Sequence, residues 1–194
     1  LKAVAGMASE EEEQFITGHP EGRYLVMFDP LDGSSNIDID ISVGTIFSLL
    51  MKPRDEDLQE KHFLQPGNKQ VAAGYILYGP QTLLVMTFGQ EVLFFTLDHK
   101  GEFRQQTSPP SLVQETQEFA INMSNQRFWP KEIQKYITFL LQGKEGPRGK
   151  DYNMRWVASM VAEIHRILLR GGVFIYPQDS RSCLLYTSDA ADER

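Results

Sequence analysis

The stretch that decides the fold is Tyr24-Leu-Val-Met-Phe-Asp-Pro-Leu-Asp-Gly-Ser-Ser-Asn36. Its first five residues form a compact apolar run that is typical of a buried β-strand. Residues 29–35 include proline and glycine and predict a turn at the end of that strand. Asp32 follows Asp29 by three residues, so the turn can bring two carboxylates to one point. The segment therefore predicts an acidic site that a buried strand holds in place.

The chemistry of this segment suits a divalent cation next to a phosphate. Two carboxylates held close together repel each other unless cations share them. Magnesium prefers oxygen ligands, and the Leu31 carbonyl lies between the two acids. Gly33 lets the backbone turn or approach a ligand closely, and Ser34, Ser35 and Asn36 offer amide and hydroxyl donors that can bind an anion. A metal-assisted phosphatase needs this order of cation ligands and phosphate donors.

Two other interpretations of residues 29–36 compete with the metal site. Their composition is also that of an ordinary surface turn, and the residues alone leave this alternative open. The apolar strand that leads directly into Asp29 favours a site. A calcium-binding EF-hand loop is excluded, because Leu31 and Gly33 occupy positions that require oxygen ligands.

Composition narrows the class of protein. The 194 residues carry a formal charge of −7, with 41% hydrophobic residues, which predicts a soluble globular chain. The chain has no block of Lys and Arg and no long apolar run, so we expect neither nucleic-acid binding nor membrane association. The single cysteine, Cys183, excludes an internal disulfide and fits a reducing compartment. An acidic protein that binds phosphate needs local positive charge, and bound cations would supply it.

Strand-like runs and helices follow this segment in separate blocks. Short turns separate the runs after residue 70, which predicts an antiparallel meander. Amphipathic patterns predict helices that start at Pro130 and at Val157. This order of elements predicts an α+β fold. The predicted strands cover residues 24–28, 42–51, 71–78, 82–88, 91–97, 102–106, 119–122 and 173–176.

Several motifs in the same order carry a resemblance to one family. Asp-Pro-Leu-Asp-Gly-Ser-Ser at 29–35 resembles the signature of the superfamily of inositol monophosphatases and fructose bisphosphatases. Over about residues 1–181 the chain resembles class I fructose-1,6-bisphosphatases. The resemblance implies a layered α-β-α-β-α sandwich of the sugar-phosphatase type, present in part. The further motifs are Ser34-Ser-Asn-Ile-Asp38, Ser42-Val-Gly-Thr-Ile-Phe47, Leu64-Gln-Pro-Gly67, Val71-Ala-Ala-Gly-Tyr75 and Gly171-Gly-Val-Phe-Ile-Tyr-Pro177.

The resemblance implies an activity and its requirements. The expected reaction is hydrolysis of the 1-phosphate of fructose 1,6-bisphosphate to fructose 6-phosphate and inorganic phosphate. Two or more Mg²⁺ ions are expected in each site, with Mn²⁺ or Zn²⁺ as alternatives. The full-length family member is a cytoplasmic homotetramer that acts in gluconeogenesis. The competing functions are a related inositol-phosphate or sedoheptulose-bisphosphate phosphatase, and a non-catalytic protein that binds metal or subunits.

The resemblance also implies roles for the acidic residues. Glu10 would be a metal ligand, and Glu11 would help to activate the attacking water. Asp29 would bridge two metals, the Leu31 carbonyl would bind one, and Asp32 would bind the other. From the residues alone, Glu10 to Glu13 also fit a solvated charge run, and we keep that interpretation for Glu12 and Glu13.

The remaining implied roles concern the substrate. Gly33, Ser34 and Ser35 would hold the cleaved phosphate together with Asp32. Met160 would line the sugar pocket, although a methionine on an apolar helix face is often core. His165 is interpreted as structural. Asn122 would bind substrate, and Arg155, Trp156 and Tyr176 would contact the distal phosphate. From the residue types alone, Asn122 also suits a turn, Arg155 a solvent-facing helix start and Tyr176 a half-buried strand. The chain departs from the family at Trp156, where many members have Tyr, and at Asn125, which stands in place of a Tyr.

The sequence further predicts boundaries within the chain. Residues 1–107 would form the metal- and phosphate-binding part with the start of the meander, and residues 108–181 the sugar-phosphate-binding part. Residues 182–194 do not resemble the family and are interpreted as a foreign tail, with Thr187 where a ligand Glu is expected. The family's substrate-binding Lys is absent, as is its amino-terminal segment, which carries a catalytic carboxylate and the AMP site. We therefore expect a chain truncated at both ends, with weak or no activity.

Overall fold

The protein is described by a computed structural model that covers residues 1–54, 56–107, 113 and 115–178. The chain divides into two compact units. The sheet unit comprises Leu1–Asp32 and Ser42–Pro109, and the helical unit comprises Gly33–Ile41 and Pro110–Arg194. The chain has a mixed sheet and few helices, so the predicted α+β class is confirmed. The predicted division near residue 107 and the predicted foreign tail stay predictions, since the tail lies outside the described residues.

The bounds of the elements are as follows. The strands are β1 Val4–Ser9, β2 Ile16–Thr17, β3 Tyr24–Asp32, β4 Val43–Met51, β5 Ala72–Tyr78, β6 Thr82–Thr87, β7 Val92–Leu97, β8 Phe103–Gln105, β9 Glu118–Ala120, β10 Asn153–Met154 and β11 Val173–Phe174. The α-helices are α1 Lys131–Leu141 and α2 Met160–Arg170. Short 3-10 helices cover Ser34–Ile39, Glu60–His62, Gly67–Lys69, Met123–Phe128 and Gly143–Glu145.

The sheet unit is built on one eight-stranded sheet with the order β2-β1-β3-β4-β5-β6-β7-β8. Strands β1 and β3 are parallel, and the other neighbours are antiparallel, so the predicted meander is confirmed. Leu25 and Leu50 are cross-strand partners, and both are fully buried with Ala5 and Phe63. Burying a leucine contributes about 1.5–3 kcal/mol. This pair therefore anchors β3 against β4 next to the acidic segment.

The helical unit has a small parallel sheet with the order β10-β9-β11. Strand β9 leads into Ile121, which is fully buried together with Phe119. Helix α1 begins after Pro130 and packs Ile137 and Leu140 into the same core cluster. None of the helices in the described part of the chain is long and apolar enough to cross a membrane.

Two predicted boundaries are wrong by three residues or more, and both lie close to candidate site residues. Strand β3 does not stop at Phe28 but runs to Asp32, because β4 continues to pair with it. Helix α2 starts at Met160 rather than at Val157. Ser159 caps this helix by accepting a hydrogen bond from the Ala162 amide at 3.4 Å, and Ala158 has a φ of +59° that an α-helix does not allow.

Candidate active site

The two aspartates of the signature lie on a bulged part of β3. Asp29 pairs with Ile46 and Asp32 with Gly44, so two residues, Pro30 and Leu31, stand opposite Thr45 alone. Alternate residues of a strand point to the same face of a sheet, and cross-strand partners share a face. Residues 44 and 46 therefore place both aspartates on one face, about 7 Å apart along the strand. A β-bulge, and not the predicted turn, thus places both aspartates on the same face of the sheet. The convergence of their carboxylates on one point stays a prediction.

Side-chain hydrogen bonds hold this bulge. The Thr45 hydroxyl donates to the Pro30 carbonyl at 2.9 Å and lies 3.0 Å from the Tyr78 hydroxyl. A threonine hydroxyl has one hydrogen, so Tyr78 must be the donor to Thr45. The Leu31 amide donates to Oδ1 of Asp29 at 2.8 Å. The Pro30 carbonyl and the Leu31 amide, both in the bulge, are thus hydrogen-bonded to the side chains of Thr45 and Asp29.

The predicted acidic residues after β1 lie beside the start of the bulge. Ser9 pairs with Phe28 in the parallel ladder, and the Glu10 amide donates to the Phe28 carbonyl at 3.1 Å. Glu10 is thus the next residue beside Asp29. Glu10 and Glu11 are both exposed. The backbone places Glu10 next to Asp29, but the side chains of Glu10, Asp29 and Asp32 are not grouped so that they could hold one ion. Their role as metal ligands stays a prediction.

The donor atoms suit a hard cation, but they do not form a complete cage. Asp32 is 5% exposed and Asp29 is half-buried, and carboxylate oxygens are the ligands that Mg²⁺ selects. However, no three His, Cys, Asp or Glu side chains within the described ranges are grouped so that they could hold one ion. The residues present therefore match the chemistry of a magnesium ligand set and supply part of it.

The glycine and serines after Asp32 belong to the helical unit. Gly33 is buried and has a φ of +76°, which favours glycine. A Cβ atom at Gly33 would lie 2.9 Å from Cβ of Ser159, so a side chain does not fit there. Ser34 is half-buried and Ser35 is exposed in the following 3-10 helix. A glycine is thus required both by the backbone conformation and by the neighbouring helix start.

A small cleft in the helical unit brings together two predicted substrate-binding residues. Asn122 caps the 3-10 helix Met123–Phe128 and accepts a hydrogen bond from the Ser124 amide at 3.2 Å. The cleft also contains Asn125. Met160 is not among the described residues that line it. The lining residues are Ile121, Asn122, Asn125, Trp129, Ile175, Tyr176 and Pro177.

Two further candidates share an aromatic row. The rings of Trp156 and Phe174 are stacked, with centroids 6.0 Å apart and an interplanar angle of 11°. Phe174 is stacked in turn on Tyr176, at 6.3 Å and 10°. Sequence reasoning singled out Trp156 and Tyr176 but missed Phe174. The alternation of residues 174 and 176 on one face of an extended segment is the signal that could have found it.

Arg155 and its neighbours are tied to an ion-pair network that sequence reasoning also missed. The Arg155 amide donates to the Phe119 carbonyl at 2.8 Å, and its Nε lies 3.6 Å from Oε1 of Glu118. Arg166 joins Glu118 to Glu163, which is only 1% exposed. The spacing of Glu163 and Arg166 predicts a helix-surface pair, but the burial of Glu163 depends on contacts that are distant in sequence.

Comparisons with known proteins agree with this arrangement of elements. The family model "Fructose-1-6-bisphosphatase, N-terminal domain" matches residues 1–108, and the model "Fructose-1-6-bisphosphatase, C-terminal domain" matches residues 112–186. The chain therefore belongs to the fructose-1,6-bisphosphatase family.

The relatives narrow the similarity to class 1. A fructose-1,6-bisphosphatase class 1 of Neisseria meningitidis is 63% identical over 179 residues, which are 92% of this chain and 55% of that protein. One from Hydrogenovibrio crunogenus is 61% identical over 92% of this chain and 56% of its own length. The chain thus spans about half the length of the curated relatives it matches.

Solved structures of a fructose-1,6-bisphosphatase have the same fold as this chain. The apo form of Leishmania major fructose-1,6-bisphosphatase has a TM-score of 0.84 and 37% identity, covering 93% of this chain and 60% of that one. The holo form of that protein has a TM-score of 0.83 and 38% identity, covering 92% of this chain and 58% of that one.

Proposed function

We propose that the protein to which this chain belongs hydrolyses the 1-phosphate of fructose 1,6-bisphosphate to fructose 6-phosphate and inorganic phosphate. The observation that carries the proposal is the bulged end of β3, which presents Asp29 and Asp32 on one face. The next residue in the chain is Gly33, which starts the proposed phosphate-binding segment. The family membership supports the same reaction.

Magnesium is the proposed cofactor, with two or more ions in each site and Mn²⁺ or Zn²⁺ as alternatives. Its proposed ligands in this chain are the carboxylates of Glu10, Asp29 and Asp32 and the Leu31 carbonyl. Bound divalent ions would polarise the phosphoryl oxygens and lower the pKa of a bound water. Carboxylates at neighbouring backbone positions of β1 and β3 support this assignment.

The remaining steps belong to the side chains and amides of the chain itself. Glu11 is exposed beside Glu10 and would accept a proton from the attacking water. Amides and hydroxyls of Gly33, Ser34 and Ser35 would hold the cleaved phosphate. Met160 would contact the sugar. Asn122, Arg155, Trp156 and Tyr176 would bind the sugar and its distal phosphate.

Local donor groups must overcome the repulsion between this acidic chain and a highly charged phosphate substrate. The chain as a whole repels anions, because its net charge is −7. Arg155 is exposed beside the row of Trp156, Phe174 and Tyr176, and its guanidinium, the Trp156 indole and the Tyr176 hydroxyl can all donate to a phosphate. Its exposure also suits a contact with a substrate in a neighbouring subunit. We further propose a cytoplasmic homotetramer that acts in gluconeogenesis.

A phosphate-release assay with magnesium tests the proposed function. The substrate panel is fructose 1,6-bisphosphate, sedoheptulose bisphosphate and an inositol phosphate. We expect weak or no release by the 194-residue chain, because its described residues supply only part of the ligand set. A chimera in which the chain replaces its matching part of the Neisseria meningitidis relative should be active.

The Asp32→Ala variant tests the role of the bulge in that chimera. Loss of a metal ligand should reduce kcat/KM at least about 100-fold, more than loss of an outer-shell partner of a metal ligand. Asp57→Ala, an exposed aspartate in the same unit, is the control and should retain activity. A clear preference for the inositol phosphate, or full activity of Asp32→Ala, would overturn the proposal.

A second candidate function is binding of metal or subunits without catalysis by this chain. The incomplete ligand set within the described residues favours it for the chain alone. Equilibrium dialysis with Mn²⁺ as a probe distinguishes the two functions. Asp32-sensitive binding without phosphate release by either the chain or the chimera would support the second function.

A further inference from the structure

The buried side chain of Asn36 has no part in the function proposed above. Asn36 directly follows Gly33-Ser34-Ser35 and is only 6% exposed. Its backbone is fixed in the 3-10 helix, because its amide donates to the Gly33 carbonyl at 2.9 Å and its carbonyl accepts from the Ile41 amide at 3.1 Å. The side chain therefore extends from a rigid turn.

The Asn36 amide group reaches a loop that is more than 120 positions away in the sequence. Nδ2 donates to the Val157 carbonyl at 3.1 Å and to the Ala158 carbonyl at 3.3 Å. A side-chain amide has two hydrogens, so these two carbonyls use the full donor capacity of Nδ2. This loop, residues 155–158, contains Trp156, a proposed contact of the distal phosphate.

The same loop is held from the other side by Glu163. Oε1 of Glu163 accepts the Val157 amide at 2.8 Å, and its Oε2 accepts two bonds from Arg166 at 3.2 and 2.9 Å. Ala158 has a φ of +59°, a conformation that an alanine adopts only when its surroundings impose it. The peptide units of Val157 and Ala158 are thus clamped between two buried polar side chains.

We propose that Asn36 is a positioning residue that fixes the loop of residues 155–158 against the turn of Gly33 to Ser35. The proposal rests on the proposed function, since it treats the turn as the holder of the cleaved phosphate and the loop as a holder of the distal one. Asn36 directly follows the first of these segments and its side chain bonds to the second. It therefore sets the spacing between the two phosphate contacts and makes the chain selective for a sugar with phosphates at both ends.

Three variants of the 194-residue chain separate this role from simple packing. Asn36→Asp keeps the side-chain volume but faces both carbonyls with acceptor oxygens, whereas Asn36→Ala only removes the bonds. If Asn36 acts as a donor, Asn36→Asp should disturb the loop more than Asn36→Ala does. If Asn36 only fills space, Asn36→Ala should disturb the loop more. Asn68→Asp makes the same chemical change at an exposed position and is the control.

The first readout is local and needs no catalysis. Trp156 lies next to the clamped residues, and its acrylamide quenching is isolated by subtracting the signal of Trp156→Phe. In Asn36→Asp the quenching constant should rise at least about twofold, because a released loop exposes the ring. Asn68→Asp should not change it. Unchanged quenching in a folded Asn36→Asp chain, or a larger effect in Asn36→Ala, would overturn the proposal.

A measurement on the unmodified chain covers the case in which the variants do not fold. The two Asn36 side-chain amide protons should exchange slowly with solvent in NMR spectra, since both are bonded and buried. Exchange as fast as that of the exposed Asn68 would contradict the clamp.

The second readout connects the loop to the substrate. Fructose 6-phosphate, which carries only the distal phosphate, should bind Asn36→Asp about tenfold more weakly than the unmodified chain, since an interaction of about 1.4 kcal/mol is a factor of ten. Absence of binding by the unmodified chain would count against the proposed function. Equal binding by the chain and by Asn36→Asp would count against the role of Asn36, so the two failures are distinguishable.

Discussion

The change of Gly33 to alanine tests whether the start of the phosphate-binding segment is fixed by its neighbours. A new Cβ at Gly33 would meet Cβ of Ser159 at 2.9 Å and its Cα at 3.3 Å. Gly149 is a matched control in the same unit, because its φ of +61° is also left-handed and no atom lies within 4 Å of the position of a Cβ. The two alanine variants therefore share the backbone strain and differ in the contact.

The expected changes in the free energy of unfolding follow from the backbone strain and from the contact with Ser159. A left-handed alanine costs about 1–2 kcal/mol, and the loss of unfolded-state freedom offsets about 0.4–1 kcal/mol of this. Gly149→Ala should thus lower the free energy of unfolding by about 0.5–1 kcal/mol. Gly33→Ala adds an overpacking cost of about 1–3 kcal/mol, because Ser159 is held at the start of α2 and cannot simply rotate away.

Urea unfolding followed by tryptophan fluorescence measures the difference between the two variants. Both tryptophans, Trp129 and Trp156, belong to the helical unit, so the signal reports on the unit that contains both glycines. An unchanged slope against urea concentration would show that the free energies can be compared. A difference below about 0.5 kcal/mol between the variants would refute the contact argument, since the overpacking cost expected at Gly33 is at least about 1 kcal/mol.

Two further predictions concern the bulge and a half-buried histidine. Thr45→Val removes the hydroxyl that donates to the Pro30 carbonyl, and urea unfolding followed by far-UV circular dichroism should show a loss of about 1 kcal/mol; Thr82→Val on β6 is the control, and an equal effect of both would contradict the role of Thr45. Burial lowers the pKa of His165, so the unfolded chain binds its proton at a higher pH than the folded chain. The stability due to neutral His165 should be complete above the ordinary pKa of about 6.5 and fall as the pH drops below it. Unfolding of the chain and of His165→Gln at two pH values checks this, and an equal pH dependence of the two would exclude His165 as the cause.

Local pattern predicted the parts of the fold that depend on short-range order. The turn residues between the meander strands mark the ends of those strands locally, and strands β5, β6 and β7 were predicted within one or two residues. The start of α2 was predicted too early, because the apolar Val157 continues the helical pattern. Asn36 holds the carbonyl of that residue, and no local pattern contains a partner 121 positions away.

The candidate site was predicted in composition but not in geometry. The signature supplied the aspartates, the glycine and the serines, and the family resemblance supplied the more distant residues. Phe174 and Glu163 were missed because their parts depend on packing: one ring lies between two other rings, and one carboxylate is buried between a loop and a helix. Such roles become visible only when elements far apart in the chain are in contact.

Pro30 is the reason why β3 was predicted to end at Phe28. Its place in a bulge is the reason why the strand continues to Asp32. In a regular strand, residues three apart point to opposite faces, so Asp29 and Asp32 could not share a face. Proline cannot donate to a ladder, and within a sheet it is tolerated at bulges. Pro30 lies in the bulge opposite Thr45, whose hydroxyl satisfies its carbonyl. The shared face of the two carboxylates thus comes from the extra residue of the bulge against β4, and a regular pairing without that residue would place them on opposite faces of the sheet.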